Sequence, residues 1–376
     1  MNTPFIYGKL ATGENFTNRE KETNHLVQNF LSGTNTMLIS PRRWGKSSLV
    51  LKSVNEAFLQ DKSIRIVMLD LFNVRSEEEF YKILSESVVR SVSGKMNEVI
   101  ANVKKFMKQW IPKIQFSPDS KLEFSFSLDW KEIKKQPDEI LNLPESIAQN
   151  KGYKFVVCID EFQNISYFED PLAFQKKLRA HWQHHQSVCY CLYGSKRHML
   201  AEVFSSPSMP FYKFGDLMLL HKIPLEQWIP FITGRFEATG KHIETKHTEK
   251  LVTTVNSHPY YVQQLAQLVW LRTEDKVNDE ITGEAIESLM LQMSLLFQSL
   301  TEGLSTYQVN FLKALTEGIS SFSSKENLER FKLGSSANVF QVKKALIEKE
   351  IIDEFPEKIE ILDPIYALWL KQMYFI

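Results

Sequence analysis

One ammonium, one hydroxyl and two adjacent carboxylates carry the residue types and spacing in this sequence that suit phosphate chemistry. Lys46 and Ser47 close the run Ser40-Pro41-Arg42-Arg43-Trp44-Gly45-Lys46-Ser47, an S-x-x-x-x-G-K-S pattern close to the phosphate-binding loop signature. In such a loop, backbone N–H groups and a helix N-terminus offer unpaired donors to phosphate oxygens. Lys46 is expected to reach the β- and γ-phosphates and the Ser47 hydroxyl to bind Mg²⁺. Gly45 lets the backbone approach with no Cβ in the way, and Pro41, Arg42, Arg43, Trp44 and Ser48 complete the expected nucleotide-binding segment. The first position, normally glycine, is Ser40, which weakens the match. The bland alternative is a strand–turn–helix that happens to contain Gly-Lys-Ser.

A phosphate loop needs a partner that holds the metal. About 110 residues downstream, KFVVCIDEFQ (Lys154 to Gln163) sets a continuous apolar run directly before Asp160-Glu161. Continuous hydrophobicity is what a parallel strand covered on both faces requires. Its carboxyl end is where open α/β sheets place their ligands. This matches a Walker B pattern: Asp160 is expected to hold Mg²⁺ through its water shell, and Glu161 to orient and deprotonate the attacking water. A third apolar run, SVCYCLY (Ser187 to Tyr193), ends in Gly194-Ser195. In ATPases with an acidic pair, an extra strand lies between the loop strand and the Walker B strand. The polar residue at its end senses the γ-phosphate, which makes Ser195 the candidate.

The elements that must position these groups read as an α/β fold. The run Met37-Leu38-Ile39 is a buried strand, followed by a helix with Val50, Val54 and Phe58 on one face. IRIVMLDLF (Ile64 to Phe72) is a second strand, in which Asp70 is either near the site or only a turn former. Ser76-x-x-Glu79 opens a helix running to about Val92. A further amphipathic helix is expected over Lys95 to Trp110. Residues 111–135, in which Leu122, Phe124, Phe126 and Leu128 alternate with polar residues, read as an inserted hairpin. A partner-binding flap and a structural cover are equally open for it. Gly215 to Leu220 gives a last short strand, and helical patterns follow from Leu225.

Length and charge bound the rest. At 376 residues the chain has room for two or three domains. Basic and acidic residues number 45 each, so no global field recruits nucleic acid or anionic membrane. No apolar run approaches a membrane span, and MNTPFIYGKL lacks a charged-then-apolar leader pattern. The three cysteines (Cys158, Cys189, Cys191) lie in apolar runs and make a poor disulfide framework, so the expectation is a cytoplasmic protein with reduced thiols. His181, His184 and His185 stand at helical spacing near Cys189 and Cys191, but no ligand pattern matches a zinc spacing.

Residues 301–376 show three helix patterns and two short strands, the order of a winged helix-turn-helix, whose default use is major-groove binding. Its nine basic and eleven acidic residues are a poor footprint for phosphate binding, so DNA contact through Lys343 and Lys344 is not favoured over a packing or partner-binding role.

ISPRRWGKSSL, CIDEFQNI, CLYGS, SHPYYVQQLA and the terminal LDPIYALWL occur in that order, and together they resemble the archaeal-type ATPase family, also found in bacteria. That family belongs to the STAND signalling NTPases, which are AAA+-like switches. The resemblance implies a P-loop ATPase domain (1–222), a helical lid (223–300) and a winged helix domain (301–376). It implies that Asn18 and Arg19 lie beside the adenine and that Pro259 packs on the base. Phe211-Tyr212-Lys213 stands where the family more often shows Leu-Tyr-Gly-Arg, so no arginine finger can be named. Arg42, Arg43 and Arg197 are close in sequence, with nothing to fix their direction. The resulting expectation is an Mg²⁺-dependent ATPase acting as a conformational switch, slow without a protein partner, with oligomerisation open. Its rivals are a DNA-directed loader-like ATPase and an ADP-clamped interaction module, with a phosphotransferase as a distant third.

Overall fold

Five apolar runs become one parallel sheet, in the spatial order β2-β5-β6-β1-β7, where β1 is Thr36–Ile39, β2 Ile64–Asp70, β5 Lys154–Asp160, β6 Val188–Gly194 and β7 Asp216–Leu219. The computed structural model describes residues 3–92, 113–114, 126–127, 137–355 and 358–376. The interior strands β1 and β6 are buried at every position, and β5 at all but its two ends. The edge strands β2 and β7 mix buried with exposed positions. Burial on both faces is why the interior strands read as unbroken apolar runs. β6 lies between β1 and β5, as the extra-strand expectation requires. The register sets Ile39 beside Gly194 and Leu192 beside Ile159, so the carboxyl ends of all three finish on one edge.

The chain divides into two compact units. The first, Arg19–Arg42 with Lys46–His221, contains the sheet. Its helices are α1 (Glu20–Ser32), α2 (Lys46–Gln60), α3 (Glu77–Ser91), α4 (Pro137–Leu141), α5 (Leu143–Lys151), α6 (Pro171–Trp182) and α7 (Arg197–Ser205). The Ser76 side chain caps α3 by accepting from the Glu79 N–H, while the Glu79 carboxylate takes the Arg75 N–H rather than that of Ser76. Trp182 stacks on Tyr190 at 4.0 Å between centroids, tying α6 to β6. The three cysteines are buried and free, and burial pushes the Cys189 thiol up to about 12. Asp70 is exposed and accepts the Phe72 N–H at 2.8 Å, a turn-forming contact. Of the expected hairpin, β3 (Lys113–Ile114) pairs antiparallel with β4 (Phe126–Ser127). The rest of it and the helix expected over residues 95–110 lie outside the described residues.

The second unit comprises Met1–Asn18, Arg43–Gly45 and Lys222–Ile376. It begins with four helices: α8 (Leu225–Glu237), α9 (Thr245–Thr254), α10 (Pro259–Arg272) and α11 (Asp279–Glu302). These are followed by α12 (Thr306–Thr316), α13 (Lys325–Arg330), α14 (Ser336–Glu348), the hairpin β8 (Ile352–Glu354) and β9 (Ile359–Ile361), and α15 (Pro364–Trp369). Ser305 and Gln308 form a reciprocal capping box at α12, and Asp363 caps α15 by accepting from two backbone N–H groups. The Tyr261 hydroxyl of α10 donates to the same Asp363 at 2.5 Å, joining the two sequence motifs SHPYY and LDPIY. Lys343 on α14 donates to both oxygens of Glu354 on β8. Among the described residues, no helix is long and apolar enough to cross a membrane.

The histidines at the end of α6 and just after it are tied to side chains: His181 and His185 both share the Asn142 side-chain oxygen, and His185 also meets the Tyr190 hydroxyl at 2.8 Å. Burial lowers His185 to about 4, with Glu145 opposing. A folded value below the unfolded ~6.5 means that the unfolded chain binds a proton first as the pH falls. Stability is therefore lost between about pH 6.5 and pH 4. Unfolding free energies from denaturant titration at pH 7.5 and pH 4.5 are expected to differ by about 1–2 kcal/mol less in His185→Gln than in the wild type, after discounting for partial exposure.

Candidate nucleotide-binding and catalytic site

The loop after β1 shows how a serine stands in its first position. Ser40 is buried and its hydroxyl donates to the Pro41 carbonyl at 2.9 Å. It is not among the residues with positive φ; Arg43 (φ 61°) and Gly45 (φ 90°) take those turns instead. A Cβ is therefore tolerated at position 40, whereas Gly45 holds a conformation that L side chains rarely adopt. The helix α2 starts at Lys46, whose side chain is buried.

Ser47 and Asp160, 113 residues apart in sequence, meet with Oγ donating to Oδ2 at 2.7 Å. The other Asp160 oxygen accepts the Glu161 N–H at 2.8 Å. Burial raises the Asp160 pKa above the usual carboxylate range, against the opposing pull of the Lys46 charge, the Ser47 hydroxyl and that N–H. The ammonium, the hydroxyl and the first carboxylate thus share one corner of the sheet edge.

Glu161 turns the chain off β5 in a left-handed conformation (φ 52°, ψ 39°). Its Oε2 accepts from the Ser195 hydroxyl at 3.0 Å and from the Gln163 side-chain amide. Arg42 Nε in turn donates to Ser195 Oγ at 3.3 Å. Gln163 is 1% exposed, and its amide group packs over Gly194 so closely that a Cβ there would fall 1.9 Å from Gln163 Oε1. Asn164 donates to the Leu71 carbonyl at 2.9 Å, pinning the turn after β5 to the end of β2. Glu161, Gln163, Asn164 and Arg42 line a cavity of about 390 Å³ together with Phe72, Arg75, Tyr167 and Lys196.

The first unit thus brings together Arg42, Lys46, Ser47, Asp160, Glu161 and Ser195. Arg43, Trp44, Gly45, Asn18 and Pro259 group with the second unit. There the Arg43 guanidinium lies 4.5 Å from the Tyr260 ring centroid, next to Pro259, which opens α10. Lys222 sits over Trp44 at 5.7 Å, and His258 is buried and lowered to about 3. Asn18 and Arg19 both have positive φ, and the buried Arg19 donates to Glu22 at 3.0 Å. Arg197 opens α7 and is not among the cavity's lining residues. Sequence reasoning missed Gln163 and gave Gly194 no role; a glycine directly between a buried strand and a candidate serine was the available signal.

The donor set suits Mg²⁺, a hard cation that keeps several waters and binds through one or two protein oxygens plus substrate phosphates. Ser47 and Asp160 supply hydroxyl and carboxylate oxygens at one point. Among the described residues there is no group of three or more His, Cys, Asp or Glu arranged to hold a metal.

Residues 22–204 match the family model described as "Predicted AAA-ATPase", and residues 295–372 match one described as "Probable winged helix domain". The chain carries an AAA-ATPase-like domain followed by a winged helix domain. A Walker-type ATPase of Pyrococcus abyssi is similar in structure, with TM-score 0.67 and 17% identity, over 98% of this chain and 100% of that one. The ORC2 protein of Aeropyrum pernix, in ADPNP and ADP complexes, is similar with TM-score 0.58 and 14% identity, over 99% and 100%. At these identities the likeness establishes the P-loop NTPase fold with its C-terminal winged helix. No curated protein matches the sequence.

In the AAA-ATPase-like domain, the tight contact at Gly194 makes a specific demand. Gly194→Ala is expected to cost about 1–3 kcal/mol of stability by displacing Gln163 from Glu161. Urea unfolding checks the size, and an unchanged midpoint would mean that Gln163 can move at no cost.

Proposed function

We propose that the chain is an Mg²⁺-dependent ATPase that works as a conformational switch. The observation that carries this reading is the contact of Ser47 with Asp160 at 2.7 Å beside the buried Lys46. Loop N–H groups and Lys46 bind the triphosphate, and Ser47 and Asp160 would hold the metal. A magnesium ion held by these two residues would supply neutralisation of the charge on the triphosphate.

Glu161 accepts a proton from the attacking water as the water oxygen bonds to the γ-phosphorus. The bond to the β–γ bridging oxygen breaks and its electron pair leaves with ADP. Ser195, hydrogen-bonded to Glu161, exchanges that contact for one to the γ-phosphate, so the triphosphate sets the position of the base. Asn18, Arg19 and Pro259 are assigned to the adenine, following the family resemblance. The working parts are taken as 1–222, a lid at 223–300 and the winged helix domain at 301–376. The route from loop to winged helix is supported within the second unit: Arg43 lies over Tyr260, and the next residue, Tyr261, donates to Asp363, the cap of α15. A protein partner is the expected accelerator.

A DNA-directed reading is favoured by the winged helix match over 295–372. Against it, Lys343 is bound to Glu354, Lys344 stands 3.9 Å from Glu348, and acidic residues outnumber basic ones in 301–376. Duplex binding that weakens with salt and is lost in the Lys343→Glu, Lys344→Glu variant would restore it.

Glu161→Gln is expected to lower turnover by about 10²-fold or more while keeping ATP binding, and chelation of divalent metal to stop turnover. Lys46→Ala is expected to lose ATP binding. Wild-type turnover by the Glu161→Gln protein would sink the assigned base. Tightly held ADP with no phosphate release in the wild type would point to a clamp instead.

A further inference from the structure

The cavity beside Glu161 is more cationic than the cleavage step requires. Arg75 reaches it from the loop between β2 and α3, and Lys196 from the turn between β6 and α7. Both are drawn to Tyr167: the Arg75 guanidinium lies 5.6 Å from the ring centroid, and Lys196 Nζ lies 5.4 Å from it and donates to the hydroxyl at 2.8 Å. Among the described residues, no carboxylate pairs with either side chain; the Arg75 guanidinium has only a 3.4 Å bond to the Val74 carbonyl. Arg42 lines the same space and donates to Ser195, which donates to Glu161. Against these three cations the cavity lining holds one carboxylate, Glu161, so an anion entering it would meet an excess of positive charge. About 390 Å³ accommodates an oxyanion with several waters.

We propose that this cavity is the exit site for the orthophosphate cleaved from ATP. Arg75 and Lys196 hold the outgoing oxygens, and Arg42 lines the same cavity. This rests on the ATPase reading, which places the cleaved phosphoryl group next to Glu161. The three cations line one cavity, whereas a nucleic-acid track spreads its cations along a groove. A second consequence is product inhibition: phosphate retained in the cavity sits next to the general base and opposes the next turnover.

The test uses the full chain saturated with Mg·ADP, so that the nucleotide loop is filled, and titrates inorganic phosphate by calorimetry. ATP turnover is measured in parallel with added phosphate. Wild type is expected to bind phosphate and to be inhibited by it. In Arg75→Ala with Lys196→Ala, phosphate affinity should fall at least tenfold and inhibition weaken equally. Arg75→Lys should retain most of the affinity, which separates charge from packing.

Equal phosphate affinity in wild type and the double variant overturns the proposal, because phosphate would then be binding elsewhere. So does wild-type binding too weak to detect, or a cavity that takes only an oligoglutamate peptide or an oligonucleotide. If wild type hydrolyses no ATP, the reading in the preceding section fails. The phosphate titration, which uses no ATP, decides the cavity separately.

Discussion

A carboxylate at the end of a strand covered on both faces must be met by positive charge or donors, and the site is built around meeting that need for Asp160. Five of the seven residues of β5 are buried, so water reaches the Asp160 carboxylate poorly and its pKa rises. The structure brings three compensations to it: the Lys46 charge, the Ser47 hydroxyl and the Glu161 N–H. Two of these come from the first turn of α2, which can reach Asp160 only because β1 and β5 end on the same edge. That alignment is fixed by β6, which pairs with both. Burial of polar groups without partners costs several kcal/mol, so the strand order and the loop sequence are not independent choices.

The same edge positions Glu161 by steric rather than electrostatic means. Its left-handed backbone turns the side chain out of the strand direction, a conformation that persists only where the surroundings over-determine it. The surroundings are Ser195, Gln163 and the bare Cα of Gly194. One carboxylate oxygen accepts from both side chains. The other makes no hydrogen bond among the described residues and is the one available to a water.

Much of this was legible in the sequence because burial on both faces leaves a direct trace. β1, β5 and β6 are unbroken apolar runs, and each is followed by polar residues of the candidate site: Ser40 to Ser47, Asp160-Glu161, and Ser195. Helix starts were legible where a local cap encodes them, at Ser76 and Asp363. What could not be read depends on packing between distant segments. The fit of Gln163 over Gly194 joins a turn to a strand end 31 positions away in the chain. The direction of Arg42 follows from where Ser195 falls, and the opposite grouping of its neighbour Arg43 follows from the left-handed turn at that residue. The convergence of Arg75 and Lys196 comes from loops after two different strands, which no spacing rule connects. The tolerance of Ser40 is a backbone matter: the loop puts its positive φ angles elsewhere.

The winged helix domain differs, in that several of its charges are engaged close to its hairpin. Lys343 is bound to Glu354, Lys222 and Lys358 share Glu360, and the buried Asp363 takes the Tyr261 hydroxyl with two backbone N–H groups. Lys343 and Lys358 are thus drawn onto the hairpin, and the acidic excess of residues 301–376 disfavours a phosphate backbone. The domain has instead a hairpin braced at both ends, by α14 through Lys343 and by the segment before α8 through Lys222. Asp363 also lies within reach of the Arg43 charge. Its burial raises its pKa, and the Arg43 charge is among the influences that hold it down. A shift of Arg43 would alter the energy of that buried carboxylate and with it the cap of α15.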